Sequence, residues 1–201
     1  SFEDKTLLRE ELTPQQAMCM LHFLKSHNVL RGVYIDGLGH MSREDFSEIE
    51  AVAATPATAA LMRRSYQTDE DLDAVTAQHN SVQKIIAFFR NPDDKQATIR
   101  EITARFPGYA VSSSLGNNIE INAQNATKGS ALCFLCEKIG VPIGQCMAFG
   151  DGTNDYSMLR AAGFGVAMGN ASEEVQSCAD AVTETNEEDG VARMIERVLG
   201  L

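Results

Sequence analysis

Apolar residues in the first part of the chain recur with the spacing of amphipathic helices. Two helices are predicted to begin at Thr13-Pro14 and Thr55-Pro56, because threonine is a good N-cap and proline fits the first helical turn. Residues 93–106, DDKQATIREITARF, show a third amphipathic pattern, which Pro107-Gly108 ends. These segments predict helices that bury one apolar face each.

Short apolar strands with turn signals lie between these helices. VLRGVYIDGLGHMS, residues 29–42, predicts a hairpin that turns at Asp36-Gly37, and VQKIIAFF predicts a further strand. YAVSSSL and IEINA flank Gly116-Asn117-Asn118 and predict a second hairpin. This mixture favours an α+β layer with helices on one face of an antiparallel sheet.

After about Ala123, strands alternate with helices. The predicted strands are QCMAFG, FGVAMG and AVTET, and the predicted helices are KGSALCFLCEKIG, YSMLRAAG, NASEEVQSCA and DGVARMIERVL. Gly140 is placed to end the first of these helices, and Asn170 with Glu173 could form a capping box for the third. Such alternation is typical of parallel strands joined by crossovers. We therefore predict an α/β protein with an α+β module over residues 1–119 and part of a doubly wound core over residues 120–201.

Composition narrows the class of protein. The chain has 201 residues, of which 44% are hydrophobic, so a packed core is expected. A net charge of −11 argues against nucleic acid as a partner. Apolar runs fall short of the roughly 20 residues of a membrane span, and SFEDKTLLREEL has no signal-peptide character, so we expect no membrane partner. Five cysteines without a regular framework indicate a reducing, cytoplasmic location.

Side chains that could bind a metal or a phosphate follow the predicted QCMAFG strand, in the segment GDGTND. Asp151 and Asp155 offer carboxylate oxygens, and Asn154 offers an amide that could donate to a phosphate oxygen. Mg²⁺ prefers one or two carboxylates together with water and phosphate oxygens, so Asp151 and Asp155 are candidate metal ligands. The alternative is that all three side chains serve only as turn and cap residues.

Lys128 favours the functional interpretation of this segment. It precedes a predicted helix start in NATKGSAL, where its ammonium group would add to the free N–H groups of the helix terminus. A single lysine would otherwise be taken as a solvated surface charge. A lysine at a helix start, followed about twenty residues later by a strand that ends in the aspartate-rich turn, is more informative than either feature alone.

These two segments resemble the C-terminal part of the haloacid dehalogenase superfamily, in its Cof-type sugar-phosphatase branch. The stretch from TKGSAL to GDGTNDYSMLRAAGFGVAMGNASEEVQSCADAV carries the resemblance closely, and residues 1–119 resemble the branch's cap module more loosely. The fold implied is a Rossmannoid core with a parallel sheet and an α+β cap that reads the leaving group.

The resemblance implies a role for each residue of the motif. Lys128 would stabilise the phosphate and an aspartyl-phosphate intermediate, Asp151 would ligate Mg²⁺, Asn154 would contact phosphate, and Asp155 would support the water shell of the metal. The reaction implied is Mg²⁺-dependent hydrolysis of a small phosphorylated metabolite, with sugar phosphates as the default class.

One part of the family pattern is not found in these residues. The first motif, D-x-D-G-T/S, supplies the attacking aspartate, and the nearest text, IDGLGHMS, has a single aspartate in the cap-like part. The resemblance places the strand of that motif beside QCMAFG, which would otherwise keep an unpaired edge. We therefore expect an N-terminal core segment, from the same gene product or a separate piece, and no phosphatase activity from this chain alone.

Two alternatives remain open. A P-type cation pump has a similar aspartate-rich stretch, but it needs membrane helices and an aspartyl-phosphorylation sequence. A degenerate, non-catalytic relative would bind a phosphorylated ligand and signal or scaffold. Cys133-x-x-Cys136 has redox or zinc spacing but is expected to be an ordinary buried pair, and His40 with Arg43 could touch substrate or lie in an exposed turn.

Overall fold

The computed structural model describes residues 6–114 and 116–201, which fold into two units, Ser1–Asn125 and Ala126–Leu201. The predicted boundary between residues 119 and 120 falls inside a strand that pairs on both sides within the first unit. The division therefore lies after Asn125. The assignment of the two units as cap and core stays a prediction.

The described residues of the first unit form a six-stranded sheet with five α-helices. The helices are α1 (Pro14–Leu24), α2 (Arg43–Ser47), α3 (Pro56–Ser65), α4 (Leu72–Gln78) and α5 (Asp94–Arg105). The strands are β1 (Val29–Ile35), β2 (Leu38–Ser42), β3 (Tyr66–Asp69), β4 (Lys84–Phe89), β5 (Tyr109–Ser112) and β6 (Asn118–Ala123). Their order is β3-β2-β1-β4-β6-β5, with β3 parallel to β2 and all other neighbours antiparallel.

The predicted starts of α1 and α3 and the predicted first hairpin turn are confirmed. The Thr13 hydroxyl accepts the Gln16 N–H at 3.2 Å, and the Gln16 side chain accepts the Thr13 N–H at 2.9 Å, which is a capping box. Asp36 and Gly37 both have positive φ, 49° and 81°, as a tight two-residue hairpin turn requires.

Helices cover both faces of this sheet, so the prediction of helices on one face of an antiparallel sheet is wrong. Both faces of β1 and β4 are apolar. On one face, Val33 and Ile85 pack with α1, α4 and α5. On the other face, Leu30 and Ile86 pack with Met41 and with α3. Strands buried on both faces lose the alternation that marks a one-sided sheet.

The sequence from Tyr66 to Gln78 carries no clear signal for a helix or a strand. It contains β3, a polar strand of four residues that pairs with β2, and the short helix α4. The predicted strand YAVSSSL is shorter in the structure, as β5, and its last residue, Leu115, lies outside the described residues, as do the first five of SFEDKTLLREEL.

The second unit is a three-stranded parallel sheet with helices in the connections. Its helices are α6 (Lys128–Ile139), α7 (Tyr156–Ala161), α8 (Glu173–Gln176) and α9 (Gly190–Leu199), and its strands are β7 (Met147–Gly150), β8 (Phe164–Ala167) and β9 (Ala181–Val182). The order is β7-β8-β9 with both pairs parallel, which confirms the predicted α/β class with a parallel sheet. Across the described residues, the helices are too short or too polar for any of them to traverse a bilayer.

The two predicted cap signals of this unit have different outcomes. Gly140 follows α6 with φ 72°, the left-handed conformation expected of a glycine at a helix end. The capping box from Asn170 to Glu173 is wrong, because Ser172 caps α8 by accepting the Val175 N–H. Asn170 lies two residues before the cap and bonds elsewhere.

The capping box of α1 gives a first test of this fold. Thr13→Ala removes the acceptor for the Gln16 N–H, so we expect the free energy of unfolding to fall by about 1 kcal/mol. Urea denaturation followed by circular dichroism measures this change. Thr103→Ala is the matched control, because Thr103 is exposed within α5 and its hydroxyl only bonds back to the Ile99 carbonyl. An equal loss in both variants would contradict the capping role.

Candidate functional site

The candidate site lies at the carboxyl end of β7. The strand ends at Gly150, and the chain then makes a turn and a short 3-10 helix, Thr153–Asp155, before α7 begins. In open parallel sheets this end of the strands is where ligands bind. All four predicted site residues, Lys128, Asp151, Asn154 and Asp155, belong to the second unit.

The carboxylate of Asp155 is the centre of this arrangement. Asp155 is buried, with 4% of its surface exposed. Its Oδ2 accepts the N–H groups of Asp151 and Gly152, both at 3.1 Å, and its Oδ1 lies 2.5 Å from Lys128 Nζ. A buried carboxylate is stable only when it is paired and hydrogen-bonded in this way. Asp155 therefore fixes the turn after β7 and attaches α6 to it.

Lys128 presents its ammonium group to both protein and solvent. The residue begins α6, where the Thr127 hydroxyl caps the helix by accepting the Ser130 N–H at 3.1 Å. Its side chain is 50% exposed, whereas that of Asp155 is 6% exposed. Since an ammonium group has three donors, Asp155 can hold one while the others face outward. The pair thus positions a positive charge that can contact a second anion.

Two glycines make this close packing sterically feasible. A Cβ on Gly150 would lie 2.4 Å from the Cβ of Asp155, and a Cβ on Gly129 would lie 2.3 Å from the Ser157 carbonyl oxygen. The Gly129 N–H also donates to the Ser157 hydroxyl at 3.0 Å. Both glycines are needed because backbone and side chain approach too closely for any Cβ.

Asp151 points its carboxylate outward and is oriented from the neighbouring strand. Its Oδ2 accepts the side-chain N–H of Asn170 at 3.1 Å, and the Asn170 oxygen accepts the Asn186 N–H at 3.1 Å. Asn170 follows β8, whose carboxyl end lies next to that of β7. The sequence predicts Asn170 as a cap residue and gives no direct indication of this contact. The only available signal was its position just after the neighbouring strand.

The fit to a Mg²⁺ ion differs between the two predicted ligands. Asp151 is exposed and has an oxygen available, which suits direct coordination by a hard cation. Both oxygens of Asp155 already bond to protein donors, so this residue fits support of the loop better than direct coordination. No three His, Cys, Asp or Glu side chains cluster in the described ranges, but Mg²⁺ completes its shell with water and phosphate oxygens.

Asn154 and Tyr156 flank Asp155 in the chain. Asn154 is half-buried within the turn, and its side-chain oxygen would lie 2.6 Å from a Cβ on Gly152, so that glycine leaves room for it. Burial, with a smaller effect of Glu174, raises the pKa of Tyr156 to about 12. The Tyr156 phenol is therefore neutral at physiological pH and is unsuited to accept a proton.

The weaker sequence candidates have structural partners. His40 is buried and its Nδ1 lies 2.9 Å from Asp69 Oδ2, while Arg43 pairs with Glu70 at 3.5 Å. Cys133 is exposed, and the sulfur next to Cys136 belongs to a cysteine outside the C-x-x-C spacing, Cys146.

Comparison with known protein families identifies the family of this chain. Residues 1–195 match the haloacid dehalogenase-like hydrolase family. The chain therefore belongs to this family, which confirms the family resemblance found in the sequence.

Two curated proteins and one solved structure illustrate what this chain is similar to. Phosphatase YwpJ of Bacillus subtilis is 51% identical over 87 residues, which are 43% of this chain and 30% of that protein. The 5-amino-6-(5-phospho-D-ribitylamino)uracil phosphatase YitU of the same organism is 31% identical over 175 residues, 87% of this chain and 61% of that protein. A haloacid dehalogenase-like hydrolase structure from B. subtilis superimposes with a TM-score of 0.80 at 28% identity, covering 96% of this chain and 74% of that one. The chain thus spans less than two thirds of the length of these two curated relatives.

The close approach of Gly150 and Asp155 can be tested directly. Gly150→Ala would displace the Asp155 carboxylate from the N–H groups of Asp151 and Gly152. We expect the hydrogen-exchange protection of these two amides to fall at least about tenfold, which corresponds to the loss of one typical hydrogen bond. Gly144→Ala is the matched control, because a Cβ there meets nothing within 4 Å. Unchanged protection in Gly150→Ala would refute the packing argument.

Proposed function

We propose that the protein containing this chain is a Mg²⁺-dependent phosphatase that hydrolyses small phosphate monoesters such as sugar phosphates. The observation that carries the proposal is the half-exposed Lys128 ammonium held by buried Asp155 in the unit that also presents the exposed carboxylate of Asp151. A phosphate ester needs charge neutralisation before a nucleophile can approach it, and most of the catalysis is positioning and electrostatics. The named activities of YwpJ and YitU support the same reaction class.

Each residue of the site has a distinct part in this proposal. Lys128 would bind the phosphoryl oxygens, and Asn154 would donate its amide to one of them. Asp151 would hold Mg²⁺, with Asn170 fixing the orientation of its carboxylate. When bound, Mg²⁺ would neutralise negative charge on the phosphoryl group. Asp155 would act through Lys128 and the turn rather than on the substrate.

The attacking group in this proposal is an aspartate outside these 201 residues. Its carboxylate would attack phosphorus and displace the alkoxide, which takes up a proton. Water would then cleave the aspartyl phosphate and release inorganic phosphate. Among the described residues no strand pairs with the second edge of β7, which leaves a place for a strand that carries this aspartate. The first unit would serve as the cap module.

Substitution of Lys128 tests whether its charge acts in catalysis or only in the structure. In the full-length protein, Lys128→Met should lower kcat/KM for a sugar phosphate by about 10²–10³, because a preorganised charge is lost. Lys138→Met on the same helix is the matched control, since Lys138 is exposed and outside the site. Equal activity of the two variants, with both folded by circular dichroism, would exclude the proposed role.

The proposal also predicts that this chain has no phosphatase activity in isolation. Without the attacking aspartate, the 201-residue chain should not turn over p-nitrophenyl phosphate in the presence of Mg²⁺. A continuous absorbance assay measures this, with the Asp151→Asn variant of the same chain defining the background. Turnover that Asp151→Asn abolishes would contradict the placement of the nucleophile outside these residues.

A further inference from the structure

Two thiols of the second unit lie in direct contact. The sulfur atoms of Cys136 and Cys146 are 3.2 Å apart. Cys136 is buried on α6, with 3% of its surface exposed, and Cys146 is half-buried just before β7. Cys133 lies on the same helix but is exposed. The close pair is therefore not the C-x-x-C spacing visible in the sequence but two cysteines ten positions apart.

The connection between the two cysteines holds them in this contact. The Val141 N–H donates to the Cys136 carbonyl at 3.0 Å, and Gly140 adopts the left-handed conformation that ends α6. The Cys146 N–H then donates to the Ile143 carbonyl at 3.1 Å. A disulfide bond is about 2.05 Å long, so the sulfur atoms need to approach by only about 1.2 Å. The thiols can therefore react within the folded unit.

We propose that Cys136 and Cys146 form a reversible oxidation site, at which a small-molecule disulfide such as oxidised glutathione converts the two thiols into one intrachain disulfide. The thiolate of Cys146, the more exposed of the two, attacks one sulfur of the oxidant and releases one glutathione thiolate. The thiolate of Cys136 then attacks the Cys146 sulfur of the mixed disulfide and releases the second glutathione thiolate. The two thiol protons end on the two glutathione molecules, so two protein thiols are oxidised and one disulfide is reduced.

The environment of Cys136 fits this order of events. Its contact with the Cys146 sulfur, and then its burial, raises the pKa of Cys136 above that of an ordinary thiol. Cys136 therefore stays protonated over the pH range in which an ordinary thiol begins to ionise. This favours Cys146 as the first nucleophile and Cys136 as the resolving thiol.

The bridge would connect the two elements that carry the candidate site. Lys128 begins α6, which contains Cys136, and Asp151 follows β7, which begins directly after Cys146. Closing a loop of about ten residues restricts the unfolded chain, so oxidation should raise the thermal midpoint of the full-length protein by about 5 °C. This inference is independent of the proposed phosphatase activity.

Thiol mapping tests the site in the full-length protein. The protein is equilibrated with oxidised glutathione, quenched in acid, alkylated and digested with trypsin without reduction. We expect a linked pair of peptides, residues 129–138 and 139–160, that dithiothreitol separates. Because the first peptide contains both Cys133 and Cys136, the Cys133→Ser variant assigns the linkage and should keep it intact.

Further variants make the outcome decisive. Cys146→Ser should lose the linked peptides and the rise in thermal midpoint, while Cys136→Ala should instead accumulate glutathione on Cys146. Cys146 is half-buried, so its substitution tests the bridge without opening a cavity in the core. A linkage through Cys133 or Cys178, or two free thiols at Cys136 and Cys146 under fully oxidising conditions, would overturn the proposal.

Discussion

The carboxylate of Asp155 is the interaction on which the second unit's site depends. It is almost fully buried, so its charge must be satisfied inside the protein. Two backbone N–H groups and the Lys128 ammonium do this, and each contact fixes a different element. The amides set the turn after β7, and the ammonium fixes the start of α6. Gly150 has no Cβ because the Asp155 side chain occupies that space.

This arrangement separates residues that organise the site from residues that face solvent. Asp155 and Asn170 hold Lys128 and Asp151 in place, and these two present opposite charges outward. Such preorganisation would limit the rearrangement needed in the proposed binding of phosphate and Mg²⁺. The Cys136–Cys146 contact involves α6 and the residue just before β7, so residues 128–155 carry both the proposed chemistry and the proposed oxidation site.

The sequence predicted features that depend on near neighbours. Thr13 with Pro14, the Asp36-Gly37 turn, and the alternation around β7 and β8 are local signals, and each is confirmed. Features set by distant residues could not be predicted. The second covered face of the first unit's sheet, the parallel pairing of β3, and the contact of Asn170 with Asp151 all depend on packing across the fold. The contact between Cys146 and Cys136 likewise depends on the conformation of the loop that follows α6.

Our central proposal is that these residues form the charge-stabilising part of a phosphatase site whose attacking aspartate lies elsewhere in the full-length protein. Acid quenching during turnover of a phosphate monoester, followed by peptide mass spectrometry, locates the phosphorylated residue directly. We expect an acyl phosphate on an aspartate outside these 201 residues, and its loss on treatment with hydroxylamine. A phosphorylated aspartate within this chain, such as Asp36 or Asp151, would contradict it.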